Sequence, residues 1–259
     1  MKENQLDGIH FLISCEHGGN RIPSAYRRYF ASFEGLLRSH RGYDMGALRM
    51  GREFAALLKA PLFASTTSRL LVDLNRSIGN PRLYSGATQD APPHVRKQIL
   101  ERFYFPYRDA AEADIAEAIR EGCKVIHISS HSFTPELNGE VRNADIGLLY
   151  DPVRAPERDL CKRWRAGIRA RAPALKVRRN YPYRGTSDGF VAYLRKRFLP
   201  DVYTGVELEI NQKHVFSGAH HWAELRRQLL ETLQEVVRSA KFSASHRSRY
   251  SGKGASAMP

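Results

Sequence analysis

Two histidines stand where apolar runs end. His17 follows Ile9–Cys15 in Glu16-His17-Gly18-Gly19-Asn20, and His131 follows Lys124–Ser129 in Ser130-His131-Ser132-Phe133. Asp44 stands just before Met45-Gly46-Ala47 and a pattern of helical period. Glu207 and Glu209 lie two apart in the run Tyr203–Ile210, and so on one face of a strand. Two imidazoles and one carboxylate, converging from separate elements, supply three ligands to Zn²⁺ or another divalent metal and leave a fourth position for water. Metal binding lowers that water's pKa to roughly 7 and polarises a carbonyl. A carboxylate outside the ligand set then takes the proton and passes it to a leaving amine, and Glu209 is the candidate. The chain has no HExxH and no short metal spacing, so the same residues also suit hydrogen-bonded structural histidines and a helix N-cap at Asp44. His127, inside its run, reads as structural.

A second pattern concerns anions. In Asp73-Leu74-Asn75-Arg76 a planar guanidinium sits beside an amide, which makes a bidentate carboxylate receptor. The plainer alternative is an Asp–Arg surface pair. Arg184, in Tyr183-Arg184-Gly185, is a second anion clamp or an exposed loop arginine. Ser132 and Cys15 lack the setting of a nucleophile: neither lies in a G-x-S-x-G elbow, and Cys15 belongs to an apolar strand.

The elements that must position these groups alternate. Strands are expected at Ile9–Cys15, Pro61–Ser65, Arg69–Leu74, Lys124–Ser129, Asp145–Tyr150, Leu175–Arg178 and Tyr203–Ile210. Helices are expected at Ala25–Arg38, after Asp44, from His94 to Arg120 with a break or kink at Pro106, at Glu157–Arg171, at Gly189–Phe198 capped by Ser187, and at Ala219–Ala240. Glu136–Ala144 reads as a polar loop. Such alternation predicts an α/β fold with a mostly parallel sheet. One catalytic domain over residues 1–240 accounts for the pattern, and the small, polar, basic stretch 241–259 reads as a disordered tail.

The totals narrow the class. The 259 residues are 42% hydrophobic, enough for one α/β domain. No apolar run approaches the ~20 residues of a membrane helix. The N-terminus lacks a signal peptide's apolar core, and three dispersed cysteines read as free thiols, which points to the cytoplasm. The net charge of +14 raises a nucleic-acid partner. Its placement argues against one: Arg154–Arg179 holds ten Lys/Arg against Glu157 and Asp159, without the interleaved aromatics of a base-stacking platform. A positive field that draws in small anionic substrates fits better.

The segments FLISCEHGGNRIP, GYDMGA, SRLLVDLNRS, SSHSFTP and GVELEINQ, in this order between Ile9 and Val215, resemble the N-formylglutamate amidohydrolase family. That family is related to the zinc carboxypeptidases and aspartoacylase-like deacylases. The resemblance implies a zinc-peptidase-like three-layer α/β/α fold with a central, mostly parallel mixed sheet. It implies hydrolysis of an N-formyl- or N-acyl-amino acid, with N-formyl-L-glutamate the first candidate. In zinc carboxypeptidases an H-x-x-E motif gives two ligands. Here His17 matches the His and Asn20 stands where the Glu would be, so the carboxylate ligand comes from elsewhere: Asp44, with Glu16 the alternative. His131 matches the last His ligand, and Asn75 and Arg76 match the pair that grips the substrate's α-carboxylate. Glu209 matches the catalytic carboxylate, with Glu207 able to trade places, and Arg184 reaches the side-chain carboxylate or the oxyanion. The competing readings are a zinc carboxypeptidase or amidase acting on short peptides or cell-wall fragments, and a non-enzymatic nucleic-acid-binding protein.

Overall fold

The computed structural model describes residues 8–250, and the side chains of residues 8–239. In chain order the elements are β1 (Ile9–Cys15), a 3₁₀ turn (Ser24–Phe30), α1 (Glu34–Leu37), α2 (Ala47–Leu58), β2 (Leu62–Ala64), α3 (Pro93–Ile99), a π-helical turn (Leu100–Tyr104) and α4 (Phe105–Arg120). Then come β3 (Lys124–Phe133), β4 (Glu136–Leu137), β5 (Glu140–Val141), β6 (Ile146–Leu149), α5 (Ala155–Arg171), β7 (Val177–Arg179), α6 (Phe190–Arg197), β8 (Tyr203–Asn211), α7 (Lys213–Phe216) and α8 (Ala219–Tyr250).

Six strands form one sheet in the order β2-β1-β3-β8-β6-β7. The pairs β1–β2, β1–β3, β3–β8 and β6–β7 are parallel, and β6 runs antiparallel to β8. A strand buried on both faces reads as a continuous apolar run. This is why Phe11–Cys15 and Ile146–Leu149 are uniformly buried. One face is covered by α2, α5 and α8, whose apolar stripes meet Phe11, Ile13, Ile128, Val206, Leu208 and Ile210. The α2 stripe, Ala47, Met50, Phe54, Ala55 and Leu58, keeps the 3.6-residue period. Trp164 of α5 is fully buried there and donates its indole N–H to Thr232 Oγ1 of α8 at 3.2 Å. The other face carries α4 and α6 over Leu12, Val125 and Tyr203. The fold is therefore three-layered α/β/α with a mostly parallel mixed sheet.

Several local expectations are corrected. Arg69–Leu74 is not a strand but a buried loop, packed with Tyr26, Phe30, Leu83 and Ile99. Its backbone is satisfied by side chains and turns instead of a neighbouring strand. Thr88 Oγ1 donates to Leu71 O, Ser85 Oγ donates to Leu70 O, and Asp73 N donates to Leu83 O. The expected helix at Ala25–Arg38 is two short turns. Pro106 does not break its helix; it sits in the first turn of α4, directly after the π-helical turn. Glu136–Val141 is a hairpin, because Asn138 and Gly139 both adopt positive φ (53° and 81°), the turn that matches strand twist. Ser187 does not cap α6. The first α6 amide, Phe190 N–H, donates to Asn75 Oδ1 at 2.5 Å from across the fold. The closing helix runs to Tyr250, past the expected end at Ala240. Residues 251–259, the remainder of the expected tail, lie outside the described residues. No described helix is long and apolar enough to cross a membrane.

Burial of Trp164 between two helices gives a direct check. Trp164→Ala is expected to cost about 3–5 kcal/mol in denaturant unfolding, whereas Leu199→Ala, 69% exposed, should stay within about 0.5 kcal/mol of the parent.

Candidate active site

The parallel strands β1, β3 and β8 deliver their carboxyl ends to one edge, where α/β sheets place ligands. Their register fixes who meets whom. His131 of β3 is directly beside Glu209 of β8, and Ser129 is beside Glu207, so all four share a face. Glu16 and His17 lie just past β1. Opposite Glu209 on the far side is Gly147 of β6, where a Cβ would collide with the Tyr181 carbonyl and approach Glu209 Cβ to 3.2 Å. A glycine there is required first by the Tyr181 carbonyl, and it also relieves a tight contact with Glu209 Cβ.

Asp44 arrives from the loop before α2. Its backbone N–H donates to His17 O at 2.9 Å. The N-cap of α2 is Gly46, with φ 85°, not Asp44. The carboxylate is thereby free of the capping duty and enters the site. His17, Asp44 and His131 are all buried, and one ligand atom of each lies within 4.8 Å of the other two. Asp44 Oδ2 is 2.8 Å from His131 Nδ1 and 3.4 Å from His17 Nδ1.

Each imidazole is held from behind. His17 Nε2 donates to Asp73 Oδ1 at 2.7 Å. His131 Nε2 lies 3.0 Å from Glu16 Oε2 and 2.9 Å from Ser129 Oγ, and that hydroxyl donates to Glu16. Tyr107 OH donates to the other Glu16 oxygen at 3.1 Å. Arg69 grips both aspartates, at 2.8 Å from Asp73 and 3.5 Å from Asp44. Carboxylate-backed imidazoles with Nδ1 turned inward are the arrangement that orients histidine ligands and raises their basicity. The charges agree with it. Burial opposes ionisation of Glu16, Asp44 and Asp73, yet their His and Arg partners hold all three well below the usual carboxylate range. Burial likewise opposes a charge on His131, but Asp44 and Glu16 push it well above its ordinary value. Arg69 and the charged His131 balance these carboxylates here, and a cation held between the imidazoles could take over that counter-charge. The donor set, two nitrogens and one carboxylate oxygen, suits Zn²⁺.

Glu209 differs from these. It is buried, and its Oε2 has no hydrogen-bond partner among the described residues. Burial, together with the nearby Asp44 and Glu207 carboxylates, raises its pKa to about 8 against the pull of His131 and Arg69. Burial raises Glu207 too. A carboxyl poised near neutrality, beside a candidate metal centre, has the properties of a proton carrier.

The other anticipated residues are distributed unevenly. Asn75 is buried and its Oδ1 is committed to Phe190 N–H, which leaves its N–H groups as donors. Arg76 donates from NH1 to Asn75 O and Asp188 O and pairs with no carboxylate among the described residues. Arg184 is exposed, its backbone carbonyl accepts from Ser187 N–H at 3.0 Å, and its side chain has no hydrogen bond or ion pair among the described residues to tie it to the cluster. The residue of that loop facing the site is Tyr183. Its OH accepts from Arg142 NH1 at 3.0 Å, and Arg142 lies over the Tyr183 and Phe133 rings. Asn20 binds Leu37 O and takes no part. His127 is structural, bound to Ser14 and Tyr203, and burial lowers its pKa to about 4. Cys15 is buried and its thiol is pushed well up by burial, so it is inert.

Sequence reasoning missed Asp73 and Arg69 as supports, although they stand four apart inside the motif that supplied Asn75 and Arg76. Tyr107 is 91 residues from Glu16, and no local signal marks it. Arg142 follows the unanticipated hairpin.

The Glu209 environment predicts a pH dependence of stability in the metal-free chain. A carboxyl whose folded pKa lies above its unfolded value costs stability as pH rises from about 4.5 to about 8. Glu209→Gln should therefore raise the unfolding temperature at pH 8, by a gain on the order of a few kcal/mol, with the difference vanishing below pH 4.5. Thermal unfolding across that range is the check.

Comparisons with known proteins agree with this fold. The family model for N-formylglutamate amidohydrolase matches residues 9–216. The gene product Atu2144 from Agrobacterium tumefaciens has a similar solved structure, with a TM-score of 0.77, 30% identity and coverage of 89% of this chain and 91% of that one. The N-formylglutamate amidohydrolase from Ralstonia eutropha JMP134 shares the fold at a TM-score of 0.64 and 17% identity, covering 90% of this chain and 94% of its own. A search of curated proteins gives no match. The chain is a hydrolase of the N-formylglutamate amidohydrolase family.

Proposed function

We propose that this protein is a metal-dependent amidohydrolase that cleaves the amide of an N-formyl- or N-acyl-amino acid, with N-formyl-L-glutamate, giving L-glutamate and formate, as the first substrate. The observation that carries the reading is the Asp44 carboxylate between two inward Nδ1 atoms, with the unpartnered Glu209 carboxyl on the same face of the sheet. His17, Asp44 and His131 would hold Zn²⁺ or another divalent ion, which when bound would polarise the acyl carbonyl and acidify a water. Asp73 and Glu16 fix the two rings, so the ligand atoms need no reorganisation. Glu209 takes a proton from the attacking water at its carboxylate and returns it to the departing amine nitrogen. Water thus adds across the C–N bond, its oxygen on the acyl group and its protons on the amine. Arg76 and the Asn75 amide donors receive the α-carboxylate. Arg142, steadied by Tyr183 and Phe133, presents a second cation to an acidic side chain. Substrates would thus be small anions. Three free, buried cysteines fit a reducing, cytoplasmic setting.

Glu209→Gln should retain about one zinc per chain by elemental analysis while losing on the order of 10²–10⁴ in kcat on N-formyl-L-glutamate. Near-parental turnover would remove Glu209 from the mechanism. Chelation should abolish the parental activity and added zinc restore it. Arg76→Ala should raise KM by on the order of tenfold or more for the acid substrate and leave its neutral amide analogue little changed. Equal losses on both would make Arg76 an architectural residue.

A further inference from the structure

One exposed acid near the Asn75-Arg76 motif is engaged by protein donors although water could satisfy it. Asp188 stands two residues before α6 and is exposed. Its carboxylate accepts three hydrogen bonds from a single turn: from Ser77 N–H at 3.0 Å, from Ser77 Oγ at 2.5 Å and from Asn80 Nδ2 at 2.6 Å. Asn80 is oriented for this, because its Oδ1 already accepts Arg82 N–H at 2.8 Å. Burial opposes ionisation of Asp188, yet the bonds from Ser77 and Asn80 hold its carboxyl below the usual range. The seam extends beyond this carboxylate. Phe190 N–H donates to Asn75 Oδ1, and a Cβ at Gly189 would lie 2.9 Å from that same oxygen. Arg76 Nη1 donates to Asp188 O at 2.6 Å. Two segments 111 residues apart, judged from Ser77 and Asp188, are thereby stapled together.

The staple governs which donors Arg76 has left. Its Nη1 carries two hydrogens, and both go to backbone carbonyls, Asn75 O at 3.0 Å and Asp188 O. The Arg76 carbonyl in turn accepts Tyr104 OH at 2.7 Å, which holds its backbone. Nε and Nη2 make no hydrogen bond among the described residues, so three of the five guanidinium N–H donors remain. Nε and Nη2 together form the side-on fork that takes a carboxylate in two parallel bonds. A guanidinium already fixed at Nη1 loses less rotamer freedom when it closes on a ligand. We infer that Asp188 is a positioning residue for the substrate clamp: by closing the 77–80 turn onto the start of α6 it fixes Arg76 Nη1 and leaves the Nε–Nη2 edge to the α-carboxylate. The inference rests on the α-carboxylate role of Arg76 proposed above. Charge alone has the opposite effect. An acid close to an anion site repels the anion, so its removal would tighten substrate binding if geometry played no part.

The test compares steady-state kinetics of the zinc-loaded full-length protein on N-formyl-L-glutamate in Asp188→Ala, Arg76→Ala and the double variant. Asp188→Ala is expected to raise KM by about fivefold or more, to keep kcat within about twofold, and to leave the neutral amide analogue little changed. In the Arg76→Ala background the same change should add less than about twofold, because Asp188 acts through Arg76. Asp201→Ala, which removes an exposed acid elsewhere, should shift KM by less than about twofold. Ser77→Ala with Asn80→Ala removes two of the three bonds while keeping the charge. It should also raise KM, which protects the test if Asp188→Ala fails to fold. Backbone amide exchange gives a readout free of substrate: the Ser77 N–H should exchange faster in Asp188→Ala. Unchanged or lowered KM in Asp188→Ala, where Arg76→Ala raises it, would overturn the inference and leave the Arg76 reading standing. Equal losses on the acid and neutral substrates, or full additivity in the double variant, would make Asp188 purely architectural and overturn it too. Unchanged KM in Arg76→Ala would instead remove the reading on which the inference rests.

Discussion

The fold's central electrostatic constraint is the burial of the Asp44 carboxylate between two imidazoles. An ionised carboxylate removed from water is costly unless charge and hydrogen bonds surround it. Here His17, His131 and Arg69 surround it, and each of these is committed to a further carboxylate: Asp73 for His17 and Arg69, and Glu16 for His131. Removing any member leaves a buried charge exposed to its like. The cluster therefore behaves as one unit, and its geometry is set before any ligand arrives.

That unit is assembled from segments far apart in the chain, and the sheet aligns them. Parallel pairing of β1, β3 and β8 brings residues 16–17, 129–131 and 207–209 to one edge. Glu209 then sits next to His131 by register alone. The antiparallel neighbour of β8, β6, contributes a residue without a side chain, Gly147, which lets the Tyr181 carbonyl close in and spares Glu209 Cβ a tight contact. Glu209 is buried near the Asp44 and Glu207 carboxylates with no hydrogen bond to its Oε2 among the described residues, whereas Asp44 is hydrogen-bonded by bases. Two carboxyl groups in one pocket are thus driven in opposite directions, one kept ionised and one kept near neutrality.

Much of this was legible in the sequence because strands buried on both faces announce themselves as apolar runs, and the chemistry-bearing residues stand at their ends. His17, His131 and Glu209 were readable for that reason, and the α/β class with them. What escaped was whatever depends on long-range contact. Arg69–Leu74 has a strand's composition, but its backbone partners are hydroxyls and carbonyls of residues 83–88, which no local pattern foretells. Arg184 looked like a clamp from its type and loop; its side chain is exposed and bound to nothing among the described residues, while Tyr183 beside it binds Arg142. Asp44 was readable both as a helix cap and as a ligand; Gly46 with its left-handed backbone takes the cap position, which leaves the Asp44 carboxylate to the two imidazoles.

The contact between Asn75 and the start of α6 gives the site an electrical direction. Because Phe190 N–H already occupies the Asn75 carbonyl oxygen, that side chain shows only positive ends to anything that approaches it. The same contact therefore begins a helix and would sort approaching groups by the sign they lead with. A ligand entering with an ammonium or amide hydrogen first meets like poles; one entering with oxygens first is drawn in.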